Sequence, residues 1–177
     1  MNEKYELTEE FKEIETLREG WLQKIKVYRI RALRAFADVK IGDLGGFVET
    51  KQNLSNMGNA WVYGNAEVYD NARVRDNAWV CGDAEVCGDA KVCDNANIFW
   101  CSSIGSRHAT TTMFRNKDNG ITVTCGCFMG TLEEFAAIVE KEHGENIFGK
   151  EYKLLIELAK IHFGLQDETK GEEENGI

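Results

Sequence analysis

The 177-residue chain is 43% hydrophobic and 29% charged, with a net charge of −9, six cysteines and no proline. That apolar share supports a packed core, and no uninterrupted apolar run approaches the roughly 20 residues of a bilayer span. An acidic balance of this size excludes a general nucleic-acid binder, which presents a basic footprint.

The first 46 residues are expected to form an N-terminal cap of one helix and one strand. Leu7, Phe11, Ile14, Leu17 and Trp21 recur at intervals of three and four among acidic residues, a spacing that predicts an amphipathic helix over 4–22. Partial alternation in Val27-Tyr28-Arg29-Ile30-Arg31-Ala32-Leu33 predicts a strand, and Gly42-Asp43-Leu44-Gly45-Gly46 predicts a chain reversal. Lys24, Lys26, Arg29, Arg31, Arg34 and Lys40 make a local basic stretch, readable as a solvated strand face or as an anion site. The opening Met1-Asn2-Glu3-Lys4 lacks the charged-then-apolar layout of an export signal. A cytoplasmic protein with reduced thiols is therefore expected, with no membrane contact, no direct nucleic-acid contact, no metal and no cofactor.

Residues 47–104 are dominated by a six-residue repeat. Alanine stands at 60, 66, 72, 78, 84, 90 and 96, and Val or Ile two residues later at 62, 68, 74, 80, 86, 92 and 98. A fixed short period of this kind points to a left-handed parallel β-helix, a mainly β fold in which each unit buries its apolar residue by stacking on the next. With 18 residues per turn, the outward positions sort into three faces. The first carries Trp61, Tyr63, Trp79, Cys81, Asn97 and Phe99; the second Glu67, Tyr69, Glu85 and Cys87; the third Arg73, Arg75, Lys91 and Cys93. A row of exposed aromatic residues invites a partner, so Trp61, Tyr63, Trp79, Cys81 and Phe99 are the expected interface, with a second copy in a dimer or trimer or with another protein. The chain's own flanking segments covering that face is the competing reading. The basic ladder of Arg73, Arg75 and Lys91 is the candidate anion site, and a solubilising face is its alternative.

Residues 105–165 are expected to close the fold with a strand and two helices, and 166–177 to form a disordered acidic tail. Ile121–Phe128 reads as the strand. Thr131-Leu132-Glu133-Glu134 has the spacing of a helix capping box, opening a helix to about Glu142. A second helix over 149–163 is predicted from Tyr152, Leu155, Ile156, Leu158, Ala159 and Phe163. Cys125 and Cys127 have the spacing of half a metal site, but no second Cys or His pair stands at a useful distance in sequence.

The segments Tyr28–Phe36, Val39–Glu49 and Asn53–Ser55, the Asn-Ala-x-Val-x-Gly/Asp hexads, and Val123–Phe135 together resemble hexapeptide-repeat proteins of bacteriophages and prophages, of the polymer-forming type. The resemblance covers most of residues 26–163 and implies a phage protein acting in the bacterial cytoplasm without assigned chemistry. The hexads are also distantly similar to hexapeptide acyltransferases and γ-class carbonic anhydrases. Those enzymes need histidines near the repeats, whereas the three histidines here are His108, His143 and His162. No catalytic residues are expected. The reading is a non-enzymatic phage binding protein that presents a rigid surface and inhibits a host antiviral defence protein. The alternatives are a sponge for a signalling nucleotide through Arg73, Arg75 and Lys91, an acyltransferase using His108, and an acidic nucleic-acid mimic using Asp76, Asp83, Asp89 and Asp94.

Overall fold

The computed structural model describes residues 3–165, apart from 19 and 94. The segment at 4–22 is not a helix. It forms strand β1 (Tyr5–Arg18), which returns antiparallel as β2 (Trp21–Ala32). The inward face of β1 does not keep one parity, because the register shifts between Leu7 and Phe11. Tyr5 and Leu7 turn inward before the shift, and Lys12, Ile14 and Thr16 after it, so the inward parity moves from odd to even. The helical spacing mixes both faces of the hairpin: Leu7 and Ile14 pack inward, whereas Phe11 is 45% and Trp21 75% exposed.

Across the hairpin the basic stretch finds acids. Arg29 Nε lies 2.8 Å from Glu10, Lys24 lies 3.7 Å from Glu15, Arg31 pairs with Glu6, and the Lys26 ammonium sits 4.0 Å above the Phe11 ring. Most of these cations therefore belong to cross-strand pairs rather than to an anion site.

Strand β3 (Leu44–Val48) adds to the antiparallel hairpin through Tyr28↔Val48 and Arg29↔Phe47. Gly45 and Gly46, expected in a turn, lie inside this strand; the reversal sits earlier, at Gly42 with φ +90°. Glycine is required at 46 because a Cβ there would stand 2.6 Å from both the Ala66 carbonyl oxygen and Val62 Cγ1.

The hexads fold as six two-residue strands: β4 (Trp61–Val62), β5 (Glu67–Val68), β6 (Arg73–Val74), β7 (Trp79–Val80), β8 (Glu85–Val86) and β9 (Lys91–Val92). β4 pairs parallel with β7, β5 with β8 and β6 with β9, each at an offset of 18 residues, and β3 pairs parallel with β5. Ala60, Ala66, Ala72, Ala78, Ala84 and Ala90 and the valines two residues on are all buried. Between strands the chain turns through Gly64, Asp70, Asp76, Gly82 and Gly88, all at positive φ, which limits each strand to two residues. Side-chain amides bridge the tiers at these turns: Asn59 to Asn77 at 3.1 Å, and Asn65 to Asp83 and Asn71 to Asp89 at 3.2 Å.

A left-handed β-helix solenoid is nevertheless not the fold class. The parallel strands are few and short, and most strand residues belong to antiparallel pairings. The repeat also ends before residue 104. β10 (Ile98–Ile104) leaves the hexad register and opens an antiparallel sheet with β11 (Ala109–Arg115), β12 (Ile121–Cys125) and β13 (Phe128–Thr131). The protein is mainly β, built from several small sheets and two C-terminal helices.

Helix α1 (Leu132–His143) begins at the capping box: Thr131 Oγ1 accepts from the Glu134 amide at 3.1 Å, and Glu134 accepts from the Thr131 amide at 2.8 Å. α2 (Ile147–Phe163) starts at Asn146, whose side chain accepts from the Gly149 amide, and stops at Gly164 in the left-handed region. Both helices pack on the antiparallel sheet in a second core around Met113, Val123, Phe135, Tyr152 and Ile156, apart from the hexad core. Among the described residues no helix is long and apolar enough to cross a membrane. The tail over 166–177 lies outside the described residues.

Candidate functional site

The five residues expected as one exposed interface are divided. Trp61 is fully buried: the Tyr5 ring meets it edge-on at 6.2 Å and the Phe36 ring at 5.3 Å, both from the N-terminal 46 residues. Tyr63 and Trp79 are half-buried and pack together with centroids 5.5 Å apart. Cys81 is also half-buried, and burial raises its thiol pKa. Phe99 lies in β10 against His162 of α2, at 5.3 Å. The chain's own N-terminal segments thus occupy the position that a partner was expected to take at Trp61, and Phe99 belongs to the C-terminal core. Tyr5 and Phe36 lie outside the repeat, and no spacing in the sequence ties them to Trp61.

The second face is closed as well. Tyr69 and Cys87, expected to point outward, are buried. The Tyr69 hydroxyl donates to Glu85, while Cys87 Sγ lies 3.5 Å from Met129 Sδ of β13. Burial raises the Glu85 carboxyl and pushes the Cys87 thiol up to about 12.

The third face stays open. Arg73 pairs in register with Lys91, and Arg75 lies 3.7 Å from Asp76 on the exposed surface. These three cations share one side of the molecule but line neither of the two cavities described below. His108 is exposed in the β10–β11 turn at φ +49° and also lines neither. Of the acids proposed as a nucleic-acid mimic, Asp83 and Asp89 accept from Asn65 and Asn71 of the adjoining tier, and Asp94 lies outside the described residues.

The larger cavity was not foreseen. It is an open cleft of about 1000 Å³ between the hairpin tip, the turns of the hexads and the β11–β12 turn. At one end Arg18, the last residue of β1, reaches Glu49 at 2.5 Å and Asp70 at 2.7 Å. The Asp70 amide donates to Glu49 at 2.9 Å and the Gly88 amide to Asp70 at 3.1 Å, so the cluster ties hairpin and both tiers together. At the other end Lys117 lies 2.6 Å from Asp89, and this contact holds the Asp89 carboxyl below its usual range. Glu49, Asp70, Asp89 and Asp118 outnumber Arg18 and Lys117, so the cleft carries an acidic excess. Beside it, Trp21 and Leu22 at the hairpin tip are 75% and 65% exposed. An exposed Trp in the polar sequence around 19–24 is a signal the sequence offered, but it was absorbed into the expected helix.

The smaller cavity, about 310 Å³, opens between the β12–β13 turn and the two helices. Phe128, Phe135, Val139 and Tyr152 form its walls, with Cys125, Cys127, His143 and Arg107 among its polar groups. The His143 ring stacks on Tyr152 at 5.7 Å, and Cys125 Sγ accepts from the Thr111 hydroxyl at 3.2 Å. Burial pushes the Tyr152 phenol up to about 12. The six cysteines are all free thiols. Among the described residues no three His, Cys, Asp or Glu side chains are grouped to hold a metal ion.

No protein-family model matches the chain, and no curated protein matches it.

Proposed function

We propose that the chain is a non-enzymatic binding protein that docks a protein partner at the acidic cleft, with Trp21 and Leu22 as the apolar anchor. The observation that carries this reading is the pairing of two features in one place. A cleft of about 1000 Å³ is lined by hydrogen-bonding and acidic groups, and a Trp 75% exposed stands at the hairpin end whose two strands supply Arg18 and Gln23 to the lining. Buried Trp side chains dominate the energetics of protein interfaces, and a polar rim sets register. The acidic excess suits a partner with a basic surface and disfavours a nucleotide phosphate. Arg18 and Lys117 are each already engaged by carboxylates, an arrangement that positions walls rather than transferring protons.

In the phage setting that the resemblance implies, the partner is a host defence protein and the two meet in the bacterial cytoplasm. The test is expression of the chain in defence-carrying hosts, with phage plating as the readout. Rescue of plating that disappears in a Trp21→Glu/Leu22→Glu variant supports the reading. No rescue across a broad panel, or rescue indifferent to the substitutions, removes it.

A further inference from the structure

The smaller cavity is an apolar box with one unanswered charge in its lining. Phe135 is buried between two other rings: Phe128 lies 5.3 Å away and tilted by 43°, and Tyr152 lies 5.5 Å away and edge-on. Val139 is buried beside them, and Ile138 completes the apolar lining at 43% exposure. Rings set at different inclinations offer both faces and edges, which is how aromatic groups prefer to meet a further ring.

The polar groups of the lining gather near the Tyr152 hydroxyl. Gly105 comes so close that a Cβ there would stand 1.9 Å from the phenol oxygen. Among the described residues, the hydroxyl has one hydrogen-bonding partner, Cys125 Sγ at 3.7 Å. Sulfur is a weak partner, so the phenol keeps the capacity to serve a better oxygen acceptor. Next to Cys125, Arg107 Nη1 stands 3.8 Å from where a Cβ would sit at Gly126, and the guanidinium's charge acts on the phenol, opposing part of the rise that burial causes. Arg107 is exposed and has no carboxylate within 4.0 Å among the described residues. Glu142, the one carboxylate of the lining, already has a cation in Lys141 at 3.7 Å. The site thus holds a cation without a counter-charge beside three rings.

We infer that this cavity binds a small aromatic carboxylate, one ring on a short arm. The ring lies against Phe128, Phe135 and Tyr152, and the carboxylate sits on the Arg107 guanidinium with the Tyr152 hydroxyl as a second donor. A guanidinium presents a planar fork that matches a carboxylate in two bonds, whereas an amine in the same place would be repelled. A volume of about 310 Å³ is at the lower end of the roughly 300–1,000 Å³ of small-molecule sites, which suits a single ring system. Apolar walls with a few convergent polar groups are also the usual make-up of such sites. The cavity shares no lining residue with the acidic cleft, so it stands or falls apart from the protein docking proposed there.

The experiment follows amide proton–nitrogen correlation spectra of the full chain during titration with phenylacetate and, separately, with phenethyl alcohol. The alcohol keeps the ring and the two-carbon arm but replaces the carboxylate by a neutral hydroxyl. Saturable shifts are expected at the amides of Arg107, Gly126, Cys127, Phe135 and Val139, with a phenylacetate Kd below about 1 mM and the alcohol at least tenfold weaker. Arg107→Gln should remove that difference by weakening phenylacetate alone. Ile138→Trp, at a half-exposed position of the wall, should weaken both ligands by filling the space for the ring. The spectra themselves show whether each variant keeps its fold, and the comparison of the two ligands on wild type needs no variant. Equal affinities for the two ligands, indifference to Arg107→Gln, saturation at amides elsewhere in the chain, or no saturable shift up to about 10 mM overturns the inference.

Discussion

Lys4 is a charged residue with no exposed surface. Its ammonium donates to the Ala60 carbonyl at 2.8 Å and sits 5.0 Å from the Phe36 ring, and burial lowers its pKa from 10.5 to about 8. The sign of the consequence follows from proton counting. Between those two values the folded chain has released a proton that the unfolded chain still holds, so its contribution to stability rises as pH increases from about 8 toward 10. Above that range the buried Tyr5 phenol, whose pKa is raised, pulls stability downward, because only the unfolded chain ionises. Denaturant midpoints should climb in wild type between about pH 8 and 9 and not in Lys4→Met; above about pH 9 the raised Cys87 thiol pulls both chains downward. A climb that persists in the variant would assign the effect elsewhere. The residue after Ala60, Trp61, holds its Nε1 as a buried donor with no acceptor, so polar accounting near residue 60 is tight on one side and open on the other.

At the scale of elements, the junction between β3 and the hexads depends on two missing side chains, at Gly45 and Gly46. Gly46 lets the strand approach until the Phe47 amide donates to the Ala66 carbonyl at 2.8 Å, the same oxygen that a Cβ at 46 would strike. Gly46→Ala should cost about 1–3 kcal/mol in chemical denaturation, because neither contacting atom is the free end of a long side chain. Other elements were readable from sequence where the controlling residues are close together. α1 is announced by Thr131 and Glu134, three residues apart, and the buried alanines and valines by their strict period. β1 reads as a helix because the exposed Phe11 and Trp21 fall among the inward residues at intervals of three and four, and the shift between Leu7 and Phe11 breaks the alternation that would mark a strand. The faces of the hexads were misread for a different reason. Whether Trp61 and Cys87 are exposed is decided by Tyr5, Phe36 and Met129, which arrive from 25 to 56 residues away. The acidic cleft is likewise assembled from Arg18, Glu49, Asp70 and Lys117, four segments that share no motif.

The whole molecule is a set of short parallel rungs enclosed by long antiparallel pieces, and its thiols report on that enclosure. Cys127 is exposed, whereas Cys87 lies beneath β13 with its thiol pushed up to about 12. Alkylation at neutral pH followed by peptide mass mapping should mark Cys127 first and leave Cys87 untouched until the chain unfolds. Early marking of Cys87 would mean that the C-terminal sheet lifts away from the tiers. That sheet does more than hide a thiol. The Thr112 hydroxyl accepts from the Glu85 amide at 3.1 Å and the Thr124 hydroxyl donates to the Glu85 carbonyl at 3.2 Å, while Asn95, in the turn before the sheet, accepts from the Trp79 amide at 2.9 Å. The Trp79 amide and both Glu85 backbone groups, which would otherwise template a further strand, are thus engaged by side chains of the same polypeptide. Strand addition from another chain at β7 and β8 would have to displace those side chains first.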